Sequence, residues 1–231
     1  MPRRPPADPE TAASRRRASR VVRALKTHYP DAPCALAHRS PFELTVATIL
    51  SAQCTDARVN LVTPALFERF PDAESLAAAE PAEVERLIHS AGFYRAKARS
   101  LIGMARGVVE RHGGAIPTDL EAMTNLPGVG RKTAHVVLGT GFGIPSGVVV
   151  DTHVKRLSRR LGLTENTDPE KVERDLAAIV SRSEWIMLSH RLIAHGRAVC
   201  AAQRPRCPSC PLERICPKVG VDDGAEAAGT T

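Results

Sequence analysis

Leu126-Pro127-Gly128-Val129-Gly130-Arg131-Lys132-Thr133-Ala134 is the stretch whose reading decides the fold. Glycines on either side of Val129 let the backbone turn tightly and approach another molecule closely, because neither carries a Cβ to clash. A helix starting near Arg131 leaves its first N–H groups without intrahelical partners. It also points the positive end of its dipole at the turn, and both features suit a phosphate. Upstream, Thr118-Asp119-Leu120-Glu121 fits a capping box and predicts a second helix before the turn. The local reading is helix, glycine hairpin, helix, with Gly128, Val129, Gly130 and Arg131 as a grip on a phosphate. An ordinary αα-turn is the plain alternative, and a glycine turn alone does not separate the two.

Lys132 adds chemistry to this turn. In the first turn of a helix an ammonium faces the positive dipole end, so the neutral amine is favoured there, and burial would act in the same direction. A neutral amine is a nucleophile that can form a Schiff base with a sugar carbon at the carbonyl level. A solvated lysine beside Arg131 is the plain reading. Nineteen positions on, Asp151 follows the apolar run Val148-Val149-Val150 and precedes a helical pattern. It can cap that helix and, held near an amine, orient it, shuttle protons or stabilise positive charge on a sugar. Capping alone is the simpler account.

Composition limits the alternatives. The 231 residues suffice for one large or two modest domains. Aromatics are scarce, so Leu, Val, Ile and Ala must fill the interior, and their spacing is mostly helical. No strand long enough to build a sheet is predicted, and the fold class is all-α. Net charge is +7 and the pI about 9.4, which favours a polyanionic partner. No run of about eighteen apolar residues is present, and the first residues carry arginines and prolines rather than an apolar signal core. The chain is expected in the cytoplasm, at the nucleoid, with no membrane partner.

Along the chain, residues 1–17 are expected to form a flexible basic arm containing Arg15-Arg16-Arg17. A short helix begins at Ser19. Pro41 to about Ser51 is a buried helix, ending in Leu50-Ser51-Ala52-Gln53-Cys54-Thr55-Asp56. Ala98, Leu101, Ile102, Ala105, Val108 and Val109 make the clearest amphipathic stripe, closed by Gly113-Gly114. Gly139 to Gly147 reads as a glycine-rich connector, and Asp168-Pro169-Glu170 as a helix start. His153, Lys155, Arg156, Arg159 and Arg160 crowd the helix after Asp151; a solvated basic face is the plain account, with His153 placed to meet a phosphate.

Cys200, Cys207, Cys210 and Cys216 have the spacing Cys-x6-Cys-x2-Cys-x5-Cys. Structural zinc sites commonly use two short paired knuckles, and here one pair is short. A single loop around a larger cubane suits a four-iron four-sulfur cluster, with one cysteine per iron. Such a cluster leaves no iron open to substrate. Its expected work is to hold a loop carrying Arg197, Arg204, Arg206, Arg214 and Lys218 against phosphates, and residues 218–231 are expected to form a disordered tail.

The hairpin sequence followed by Val150-Asp151-Thr152-His153-Val154 resembles the helix-hairpin-helix DNA glycosylases, in particular the endonuclease III family, over about residues 19–217. The cysteine spacing is that family's cluster signature. The resemblance implies that Lys132 is the nucleophile and Asp151 its partner. It implies that Gln53 enters the duplex where a base has been extruded, and that Phe93 is a wedge at a place where the family usually has an aliphatic residue, with Arg95 and Lys97 near phosphates. His135 stands where the family generally has asparagine, and the connector after it is one residue longer, which bears on base preference more than on catalysis.

The architecture implied is a six-helix domain over 35–146 and a cluster domain made of 18–34 and 147–217, with a DNA-binding cleft between them. The activity implied is that of a monomeric base-excision enzyme on damaged double-stranded DNA. It would remove oxidised pyrimidines as a DNA N-glycosylase and cleave 3′ to the abasic site as an AP lyase. A monofunctional mismatch glycosylase and a non-catalytic helix-hairpin-helix DNA-binding protein are the alternatives.

Overall fold

The computed structural model describes residues 9–221, and among them there are helices and no strand. Eleven α-helices follow in order: α1 Pro9–His28, α2 Pro41–Leu50, α3 Asp56–Arg69, α4 Ala73–Ala77, α5 Pro81–Ile88, α6 Tyr94–His112, α7 Leu120–Thr124, α8 Arg131–Val136, α9 Thr152–Arg160, α10 Pro169–Ile179 and α11 Trp185–Ala198. No helix among the described residues is long and apolar enough to cross a membrane. The chain divides into two units, Cys34–Ser146 and the described residues up to Pro33 together with those from Gly147 onward.

The unit Cys34–Ser146 is built on α2. From Phe42 to Leu50 every residue of that helix is buried, Glu43, Thr45 and Thr48 included. Each fully buried Leu or Ile here contributes about 1.5–3 kcal/mol. The polar residues within it are satisfied locally: Thr45 and Thr48 donate back to the carbonyls of Pro41 and Leu44 at 2.8 and 2.7 Å. Ser40 caps the start, accepting from Glu43 N, and Pro41 opens the first turn. Helix α6 packs on α4, α5 and α2, burying the expected stripe of Ala98, Leu101, Ile102, Ala105 and Val108 together with Met104 and Gly107. Gly113 ends it in the left-handed region, and Gly114 N donates back to Val108 O at 3.2 Å. Pro64 does not break α3, which runs through it. The unit holds seven α-helices rather than six, two of them only five residues long.

In the second unit α1, α9, α10 and α11 enclose Val21, Leu25, Val154, Leu157, Val172, Leu176, Leu188 and Leu192. Arg191 is buried inside it, its Nε donating to Tyr29 O at 3.2 Å and its guanidinium pairing with Glu184 at 2.9 Å.

Three expectations are corrected. Helix α1 begins at Pro9, so Arg15, Arg16 and Arg17 lie on a helix rather than in an arm; residues 1–8 fall outside the described residues. The chain remains tied down through Lys218 and Val219, whose N–H donates to Arg160 O at 3.2 Å, and the rest of the expected tail, from 222, lies outside the described residues. The segment after α8 is no connector at first: Val137–Gly141 continues the helix with π-type hydrogen bonds.

The cap of α7 is Asp119, not Thr118, its carboxylate accepting from Ala122 N at 2.8 Å. Asp119→Ala is therefore expected to cost about 1 kcal/mol, and Thr118→Ala less than about 0.5 kcal/mol, read as shifts in thermal unfolding. Equal effects would contradict the cap assignment.

Candidate active site and cluster loop

The hairpin between α7 and α8 is positioned by packing. Val129 N donates to Leu126 O at 3.1 Å, closing the turn, and the Val129 side chain is buried in the core. Of the proposed grip, Val129 thus offers backbone only, while Gly128, Gly130 and Arg131 are exposed. Gly128 has φ +75°, and a Cβ there would lie 2.6 Å from Ser100 Cβ on α6. One turn further along α6, Gly103 would place a Cβ 3.1 Å from Pro127, and at Gly107 a Cβ would meet Leu126 at 3.0 Å. Small residues at 100, 103 and 107 therefore form the seat of the hairpin, a role the sequence reading did not assign.

Gly130 differs. Its φ of −83° suits any residue, and a Cβ there would meet nothing within 4 Å. Nothing inside the chain requires glycine at this position; it keeps the backbone open to a close approach from outside. Helix α8 starts here without a side-chain cap.

Lys132 projects from the first turn of α8 and is exposed. His135 is buried, its Nδ1 bonded to Ser146 Oγ at 2.8 Å.

Gln53 and Phe93 both have left-handed backbones, φ 52° and 46°. For residues with a Cβ this conformation costs about 1–2 kcal/mol each, and such strain gathers at functional sites. Both side chains are exposed, Phe93 to 67 %. Lys97, expected near phosphates, is instead 6 % exposed and donates to Leu50 O at 2.7 Å and Ala91 O at 2.9 Å. Burial pushes its amine below the ordinary lysine pKa, opposed by Cys54. Arg95 is exposed, with Glu85 at 3.9 Å.

These residues all belong to the unit Cys34–Ser146; Asp151, His153 and the four clustered cysteines belong to the other. Asp151 caps α9 as expected, its Oδ1 accepting from Val154 N at 2.7 Å, and it is half-buried. His153 is half-buried, its Nδ1 3.1 Å from Arg156 and packed over Gly196, where a Cβ would come within 2.7 Å.

All six cysteines are unbridged, and Cys200, Cys207, Cys210 and Cys216 line one cavity with His195, Arg160 and Leu212. Arg160, at 8 % exposure, braces their loop. Its guanidinium donates to Cys200 Sγ at 3.3 Å and to the carbonyls of Ala201 and Ala202 at 2.7 and 2.8 Å. Leu212 N and Lys218 N each donate to a sulfur, Cys210 and Cys216, at 3.4 Å. Burial pushes both those thiols up, their N–H donors act the other way, and repulsion from the neighbouring cysteines adds to the rise. The four sulfurs thus line one cavity with N–H donors aimed at two of them, and among the described residues they are not drawn together into a closed set of metal ligands. Of the basic residues expected to face phosphates, Arg206 donates to Ala198 O and Lys218 pairs with Glu213, while Arg197, Arg204, Arg206 and Arg214 are all exposed.

The family model for HhH-GPD superfamily base excision DNA repair proteins matches residues 46–182. Endonuclease III of Synechocystis is 53% identical over 206 residues, covering 89% of this chain and 94% of the relative. That of Escherichia coli K12 is 40% identical over 199 residues, covering 85% and 92%.

The chain belongs to the endonuclease III family of DNA glycosylases and AP lyases in base excision repair. Among solved structures, a trapped endonuclease III–DNA covalent intermediate, an estranged-adenine complex, superposes with a TM-score of 0.83 at 42% identity, covering 88% of this chain and 96% of that one.

The two glycines of the hairpin should separate in experiment. Gly128→Ala is expected to destabilise by about 1–3 kcal/mol, from the positive φ and the contact with Ser100. Gly130→Ala should leave the melting temperature unchanged and weaken binding to DNA, measured by fluorescence anisotropy. A Gly130→Ala protein that binds normally would contradict the close approach.

Proposed function

We propose that this enzyme removes oxidised pyrimidines from double-stranded DNA and then cleaves the strand 3′ to the abasic site, with Lys132 as nucleophile. The observation that carries the reading is a lysine in the first turn of a helix without a side-chain cap, two residues after a glycine that has open space around it. The solved relative trapped as a covalent intermediate with DNA supports it.

A lesion is swung out of the stack, because its sugar carbon is unreachable inside the duplex and damage lowers the unpairing cost. Gln53 and Phe93 fill the gap. The Lys132 amine forms a bond to C1′ as the glycosidic bond breaks, and the base leaves with a proton. Ring opening gives the imine, a C2′ proton is lost, and the 3′ phosphate departs. Asp151, held by α9 with one oxygen on Val154 N, assists electrostatically or by proton transfer. The exposed Lys132 is desolvated by the DNA itself, since the free protein leaves it in water. Arg131 and the backbone at Gly128, Val129 and Gly130 hold the adjacent phosphate, and His153 a further one. The enzyme works as a monomer in the cytoplasm, at the nucleoid.

Cys200, Cys207, Cys210 and Cys216 would hold a four-iron four-sulfur cluster, which when bound supplies a rigid centre for its loop with no open coordination position. Arg160 and the two N–H donors already described orient that loop. Arg204 and Arg214 lie on it, exposed and available to the DNA backbone.

Borohydride added to the wild-type enzyme with lesion-bearing duplex is expected to give a covalent adduct through Lys132, and Lys132→Gln none. Trapping and strand scission that persist in Lys132→Gln would refute the assignment; an intact abasic strand left by the wild type would favour the monofunctional reading. Cys210→Ser should lose iron and acid-labile sulfide together on elemental analysis, and zinc bound in their place in the wild type would overturn the cluster.

A further inference from the structure

Helix α2 ends at Leu50, and three residues later the chain reaches Gln53; a 3-10 turn ends at Ala91, and two residues later the chain reaches Phe93. The last carbonyls of both segments lack helical partners and carry the negative end of a helix dipole. One ammonium serves both. Lys97 Nζ donates to Leu50 O at 2.7 Å and to Ala91 O at 2.9 Å from a buried position. A lysine suits this task, since its charge is compact and its donors radiate from one atom, whereas a guanidinium is a broad planar fork.

We propose that Lys97 is a positioning residue for gap filling: its buried ammonium yokes the loop carrying Gln53 to the loop carrying Phe93 and sets both for entry into the duplex. The proposal rests on the assignment of those two residues to the gap. Beyond each anchor the backbone passes within three residues into a left-handed, exposed apex. With so few residues intervening, a shift of the anchor is transmitted directly to the apex. The same ammonium holds both anchors, so the two side chains keep a fixed separation while the rest of each loop stays accessible to DNA. Lys97 also stands one turn before Ser100, where the hairpin is seated, so the gap-filling loops and the hairpin share one helix as their reference.

The test compares full-length Lys97→Met with the wild type on two substrates. One is a duplex with an oxidised pyrimidine opposite 2-aminopurine; the other is a single-stranded oligonucleotide with an abasic site, which has no opposing strand and so no gap to fill. Lys97→Met is expected to release the base from the duplex about 10- to 100-fold more slowly in single turnover and to lose the fluorescence rise of the unstacked 2-aminopurine. Scission of the single strand should be unchanged. Equal losses on both substrates would reduce Lys97 to a structural residue and overturn the proposal, as would full activity on the duplex. A wild type inactive on both would sink the functional reading instead. If Lys97→Met does not fold by circular dichroism, hydrogen exchange of the wild type decides. Amides 51–55 and 92–95 should open with one common rate, and independent opening would overturn the yoke.

Discussion

The close contact between α6 and the hairpin is the constraint on which the unit Cys34–Ser146 depends. Ser100, Gly103 and Gly107 leave a trough on one side of α6, and Gly128, Pro127 and Leu126 lie in it with no space for another methyl group. Packing of this kind is stiff, because interiors are close-packed and absorb displacement poorly. It fixes the direction in which α8 leaves the turn, and with it the direction of Lys132. On the proposed reading, the reactive side chain is carried by backbone that is aimed from beneath. Phe93 caps the start of the same helix and Lys97 braces its first turns, so α6 is the common reference for every feature of this unit assigned to DNA.

Three basic residues stand apart from the exposed ones by what surrounds them. Lys97, Arg160 and Arg191 are buried and serve carbonyls, a sulfur or a carboxylate inside the protein. Arg204, Arg214 and Lys132 are exposed. Three of the cations behind the net charge of +7 are thus occupied inside the protein rather than on its surface. An internal cation of this sort is expensive to strip of water and is retained only where it satisfies several acceptors at once. Each of these three has at least two.

Much of this was legible in the sequence, and what was not has a physical reason. Periodicity reports which face of a helix is buried, so α2, α6 and the glycine hairpin could be read directly, as could the Asp151 and Asp168 caps. Lys97 could not: its acceptor at Leu50 lies 47 positions away, and no local pattern encodes such a bond. Arg160 was hidden for the opposite reason, standing in a run of basic residues where a solvated face is the natural account, although its neighbour Leu161 already marks the buried side. The seat at Ser100, Gly103 and Gly107 carried a signal, small residues at helical spacing within an amphipathic stripe, that went unused. Helix α1 extended ten residues beyond its apolar start because arginines propagate a helix well even where they do not anchor one.

The exposure of Lys132 bears on how the proposed chemistry is confined. A nucleophile that matured in the free protein would be exposed to every carbonyl compound in solution. On the proposed reading the protein instead keeps its rigid parts ready, in the seated hairpin and the left-handed apices at Gln53 and Phe93, and leaves desolvation to the substrate. On the proposed reading, the same event that fills the gap in the duplex brings the sugar over Lys132 and expels the water around it. Recognition of a lesion and activation of the amine then become one step, and a duplex that resists opening meets a lysine still held in its hydrated, unreactive state.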